Sequence, residues 1–90
     1  MSVAAVKIKI MPKSPESDLA EIEKEVRTTF KSYDVRNPQF EIEPIAFGLK
    51  AIIVLFGWPE TKELEELETS LKKIHHVGSV DVIAIRRAIG

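Results

Sequence analysis

Ala51-Ile-Ile-Val-Leu-Phe56 is the longest uninterrupted apolar run in the chain, and no other stretch restricts the fold as much. Six residues are far too few to cross a bilayer, which takes about 20 in a helix. A run this short and this rich in β-branched residues, with Leu49 and Lys50 before it, predicts a central strand over 49–56. Gly57-Trp-Pro-Glu-Thr61 breaks it.

The rest of the chain divides by hydrophobic period. Ala4, Val6, Ile8 and Ile10 alternate with Ala5, Lys7 and Lys9, a strand with one wet face. Met-Pro-Lys-Ser-Pro-Glu-Ser, from Met11 to Ser17, ends that strand. Ser17 or Asp18 then caps a helix, and Asp18 with Glu21 fits a capping box. Leu19, Ile22, Val26 and Phe30 fall on one helical face, and the helix ends near residues 31–33. After a loop at Asp34–Pro38, Gln39–Glu43 alternates again, with Phe40 and Ile42 inward and Glu41 and Glu43 outward. Past the central strand, Thr61 offers an N-cap for a second helix carrying Leu64, Leu67, Leu71 and Ile74. Gly78 fits a helix stop, Val80–Arg86 is a last strand, and Arg87-Ala-Ile-Gly90 is a tail.

The order is β-α-β-β-α-β, and right-handed crossovers put both helices on one face. The expected class is α+β: a ferredoxin-like βαββαβ sandwich, a four-stranded antiparallel sheet with two helices on one face. Ninety residues make one domain over 1–90. With no Cys there is neither disulfide nor thiolate site. Thirteen basic against 14 acidic residues, net −1, is not the footprint of a nucleic-acid binder. The N-terminus has no signal-peptide apolar region, so a cytoplasmic protein is expected.

Side chains with chemistry are sparse. His75-His76 is the one histidine pair, and adjacent helical positions point about 100° apart, so two rings there diverge from a common metal. The chain has no Gly-x-Ser-x-Gly elbow and no Gly-rich phosphate loop. The Glu63–Glu68 region reads as a solvated helix face. RNA-recognition modules share this element order but need exposed aromatics on the first and third strands. Here those strands offer Lys7, Lys9, Lys50, Ala51, Ile52, Ile53 and Val54. No cofactor, metal or covalent chemistry is expected.

Two features resist a purely structural account. Turns are normally polar, yet Glu43-Pro-Ile-Ala-Phe-Gly-Leu-Lys-Ala-Ile52 places Phe47 at a hairpin tip. Arg86 and Arg87 stand together where the last strand runs out. Phe47 folded back on the core and solubilising arginines are the plain structural alternative.

Three stretches together resemble a known family. Pro44, Phe47, Gly48 and Lys50 stand in register with the Pro-Ile/Val-Gly-Phe/Tyr-Gly-Ile-Lys-Lys-Leu segment of the guanine-nucleotide exchange domain of the elongation factor 1-beta family. Pro12, Asp18 and Leu19 resemble its Lys-Pro-Trp-Asp and Asp-Met stretch. Asp81, Val82, Ala84 and Arg87 resemble its C-terminal Asp-Val/Ile-Ala-Ala-Phe-Asn-Lys-Leu/Ile. The likeness covers nearly the whole chain and fits the family's short archaeal form.

The resemblance implies a factor that promotes GDP/GTP exchange on elongation factor 1-alpha in translation elongation, without covalent chemistry. It implies partner contacts through Phe47 as a wedge near the nucleotide site. Arg87 is then the charged probe, standing for a lysine that reaches the magnesium and γ-phosphate region. Lys50 and Arg86 support them, and Pro44 and Gly48 hold the turn. The expected free chain is a monomer with no direct nucleic-acid or membrane partner. The chain departs from the family at Lys13, where the family has tryptophan, at Ala46, where it has glycine, and at Arg86 and Arg87. Arginine is a forked donor suited to phosphate or carboxylate oxygens, whereas lysine is a compact point charge. The alternative from another class is an ACT-like small-ligand-binding or regulatory module of the same fold, expected to be a constitutive dimer or to bind a ligand.

Overall fold

Four strands and two helices follow one another as β1 (Val3–Pro12), α1 (Leu19–Ser32), β2 (Gln39–Pro44), β3 (Lys50–Pro59), α2 (Leu64–Lys72) and β4 (Val77–Arg87). These come from a computed structural model that describes residues 3–87; the tail motif's last positions, 88–90, lie outside the described residues. The strands form one antiparallel sheet in the order β2-β3-β1-β4. That is the expected ferredoxin-like sandwich.

β3 is central, as its composition predicts, and Ala51, Ile52, Ile53 and Val54 are all buried. The period-two pattern assigns the faces. Ala4, Val6, Ile8 and Ile10 of β1 and Ile52, Val54, Phe56 and Trp58 of β3 meet Ile22, Val26 and Phe30 of α1 and Leu67 and Leu71 of α2. Phe30 centres an aromatic cluster, 4.8 Å from Phe56 and 6.4 Å from Phe40 between ring centroids. On the other face the register sets Lys9 and Glu41 on either side of Ile53. Stems as long as these cover apolar surface while their charged heads stay in water.

Asp18 caps α1 as expected: its Oδ1 accepts from the backbone N–H of Ala20 at 3.0 Å and of Glu21 at 3.3 Å. The second helix corrects the expectation. Its N-cap is Glu63, with no side-chain cap bond, and Thr61 lies before it in the turn. The physical reason is the length of β3, which runs on through Gly57 and Trp58 to Pro59 instead of stopping at Phe56. Trp58 is buried, and its Nε1–H donates to the Lys62 carbonyl at 3.1 Å, which draws the turn over the ring. Tyr33 ties the end of α1 to α2 through a 2.7 Å hydrogen bond between its hydroxyl and that of Ser70.

Two further boundaries move. Gly78 is not a helix stop; it lies inside β4, where a Cβ would stand 3.1 Å from the Pro12 carbonyl oxygen. The chain turns at His76 instead, in the left-handed region at φ 70°. His75 and His76 thus lie in a turn rather than on a helix. Their rings do not diverge but sit 3.8 Å apart between centroids.

Candidate functional site

The hairpin between β2 and β3 closes tightly. Pro44 pairs with Lys50 as the last rung of the ladder. The Ile45 N–H donates to the Leu49 carbonyl at 2.7 Å, and the Leu49 N–H donates to the Ala46 carbonyl at 3.3 Å. Between them Ala46–Gly48 forms a single 3-10 turn whose two last residues are both left-handed, Phe47 at φ 62° and Gly48 at φ 77°. Gly48 takes that conformation freely. Phe47 does not: a left-handed residue with a Cβ costs on the order of 1 kcal/mol. Burial does not offset the cost, since Phe47 is 94 % exposed. The turn therefore holds an aromatic ring in solvent, and the alternative in which Phe47 folds onto the core is overturned.

The tip does not stand alone. β1 ends at Pro12 beside it, and a Cβ on Gly48 would lie 3.8 Å from Pro15 Cβ. A cleft of about 440 Å³ separates tip from helix, lined by Pro12, Pro15, Asp18, Leu19, Gly48 and Lys50 among others. Two of the three motif stretches, Pro12–Leu19 and Pro44–Lys50, thus meet at one end of the sheet. They are far apart in sequence, and only the antiparallel pairing of β1 with β3 joins them.

Arg86 and Arg87 are not brought to this end. β4 runs away from it, and Arg87 pairs with Ala4 at the far end of β1. From the Pro44–Lys50 rung to the Ala4–Arg87 rung is roughly 25 Å of strand. The expected site is therefore two sites: Pro44, Phe47, Gly48 and Lys50 at one end, Arg86 and Arg87 at the other. Both arginines are exposed.

A β-bulge decides which way each arginine faces. Ile8 pairs with Val82, but Lys7 pairs with Ala84, so β4 holds one extra residue at Ile83. Beyond the bulge the faces exchange parity. Ile85 and Arg87 lie on the helix side with Val6 and Ala4, and Arg86 lies on the open side with Ala5. Alternation read straight from Val80 to Arg87 assigns the two arginines the other way round.

The described residues bury no polar or charged side chain. No group of three or more His, Asp or Glu side chains among them gathers at metal-binding spacing. Among the described residues the sheet aromatics, Phe40, Phe56 and Trp58, face the helices, so none of them offers a base a stacking ring on the open face. The two-layer sandwich thus presents one strained aromatic tip and, at its other end, a pair of exposed arginines.

Residues 5–88 match the family model of the EF-1 guanine nucleotide exchange domain. The chain is 36% identical over 86 residues to elongation factor 1-beta of Methanococcus aeolicus, covering 91% of this chain and 97% of that one. It is 39% identical over 88 residues to elongation factor 1-beta of Methanosarcina acetivorans, covering 97% and 99%. Among solved structures it superposes on the ACT domain from the GTP pyrophosphokinase of Chlorobium tepidum with TM-score 0.63, covering 88% of this chain and 96% of that one. At 15% identity that likeness shows the fold alone. The chain belongs to the EF-1 guanine nucleotide exchange domain family, and its role is guanine-nucleotide exchange in translation elongation. An exchange domain implies a GTPase as partner.

Proposed function

We propose that this chain drives GDP/GTP exchange on elongation factor 1-alpha by pressing Phe47 against the GTPase and holding Arg87 to its phosphate or metal region. Phe47 supports this reading most directly. An aromatic ring kept almost wholly in water, on a left-handed backbone, serves no purpose in the isolated fold. Pro44 and Gly48 hold the turn, and Lys50 and Arg86 add charge beside each contact. The exchange step needs no acid, base or nucleophile of this chain.

The energetics follow from linkage. An exchange factor binds the nucleotide-free GTPase better than the loaded one. Nucleotide then weakens its binding by the factor by which it weakens nucleotide binding. Mg²⁺ bridging protein and phosphates needs near-octahedral oxygen coordination, which a displaced loop or an intruding cation disrupts. A single chain is the unit that engages the GTPase, in the cytoplasm, with neither nucleic acid nor membrane in contact.

Release of a fluorescent GDP analogue from an archaeal elongation factor 1-alpha tests this, at several Mg²⁺ concentrations. The chain is expected to accelerate release. Phe47→Ala and Arg87→Ala are each expected to slow it by about tenfold or more, roughly 1.4 kcal/mol, with circular dichroism unchanged. Unaltered acceleration by both variants removes these residues from the contact; no acceleration by the native chain removes the partner.

A further inference from the structure

Apolar side chains and an unpaired strand edge coincide along the outer side of β4. β4 and β2 are the two edges of the sheet. β2 is guarded: Glu41 and Glu43 punctuate it and Pro44 ends it. Charges and proline are what keep edge strands from pairing with another chain. β4 carries neither from Val82 to Ile85; there its edge is interrupted by the bulge at Ile83 instead. Those four residues are all apolar, and Ile83 is 48 % and Ile85 57 % exposed.

We propose that this edge pairs antiparallel with β4 of a second copy of the chain, about a two-fold axis beside Ile83 and Ala84. The result is one continuous sheet with all helices on the same face. The bulge at Ile83 makes the pairing self-consistent. In regular strands, residues opposite one another share a face, so symmetric pairing joins even to even and odd to odd positions. The bulge exchanges the faces, so here residues before Ile83 match residues of opposite parity after it.

The register that follows sets Val82 against Ile85 of the second copy and Asp81 against Arg86 of the second copy. Val82 and Ile85 both lie on the helix side, opposite Ile8 and Val6. Asp81 and Arg86 both lie on the open side, opposite Lys9 and Ala5. Symmetry makes each pair twice. The exposed Ile85 gains an apolar neighbour, and opposite charges meet across the strands. Neither Asp81 nor Arg86 has an ion-pair partner among the described residues, where the ion pair present joins Arg27 to Glu23. A slip of two residues sets Asp81 against Ala84 and Ser79 against Arg86, and loses both charge pairs. This self-complementarity selects a second copy over an unrelated strand.

The interface is short. An edge of six or so residues buries much less than the ~1,600 Å² of a standard protein interface, so the dimer is weak and concentration-dependent. It also covers Arg86 and Arg87. On the exchange reading above, and only there, self-association competes with the GTPase for that end of the sheet.

Sedimentation velocity of the full chain from micromolar to millimolar concentration, without any GTPase, tests the pairing independently of exchange. The mean mass is expected to rise from that of the monomer toward twice that value. Ile85→Lys and Asp81→Arg, both at exposed positions, are each expected to weaken association by about tenfold or more, near 1.4 kcal/mol. Combining Asp81→Arg with Arg86→Asp is expected to restore it, because the pair is rebuilt with its signs exchanged. A monomer at every concentration overturns the proposal. So does a dimer indifferent to Asp81→Arg and Ile85→Lys, or a charge exchange that fails to restore association.

Discussion

At the scale of the residue, Phe47 is where local preference and observed conformation disagree most. Left-handed backbone suits glycine and asparagine, and a phenylalanine there carries strain that solvent exposure does nothing to offset. Phe47→Asn is therefore expected to leave stability unchanged or raise it by up to about 1 kcal/mol, read as the midpoint of thermal unfolding. The same variant is expected to accelerate GDP release less than the native chain. A loss of stability comparable to the loss of a core side chain is incompatible with a ring that touches only water. Stability and activity moving in opposite directions is the pattern of a residue kept for a partner.

At the scale of the element, the two helices begin differently although both starts carry a capping residue in the sequence. Asp18 accepts two backbone hydrogen bonds, and Asp18→Ala is expected to cost about 1 kcal/mol of stability in urea unfolding. Thr61 looks equally suitable but caps nothing, because Pro59 and the Trp58–Lys62 bond shift the start of α2 to Leu64. Thr61→Ala is expected to stay within about 0.5 kcal/mol of the native chain by the same measurement. The cap of α1 was legible because its signal is local. The start of α2 was not, because the buried ring of Trp58, a tertiary contact, decides where β3 lets go. β4 follows the same rule: its extension back to Val77 depends on the close approach of Gly78 to Pro12.

At the scale of the whole molecule, the Phe47 turn and the arginine pair lie roughly 25 Å of strand apart. A partner that meets both must follow the length of the sheet. Sites separated this far, with no shared neighbours, act independently. The effects of Phe47→Ala and Arg87→Ala on GDP release are expected to add within about 0.5 kcal/mol in the double variant. A much larger coupling, seen in a double-mutant cycle of release rates, places both residues in one cooperative contact and contradicts separate ends.

The sequence alone established the element order, the buried faces of β1 and α1, the central place of β3, and the family to which the chain belongs. Each rests on information confined to a few neighbouring residues: a period of two or 3.6, a capping side chain, a short motif. It also singled out Phe47 and the arginine pair as residues the core does not need. Their arrangement follows from strand pairing instead. Antiparallel pairing brought Pro12–Leu19 to the Phe47 turn and carried Arg87 to the opposite end. One extra residue at Ile83 set which arginine faces the helices and which the open sheet. Strand pairing and bulges depend on the partner strand as much as on the strand itself, so alternation within a single segment cannot specify them.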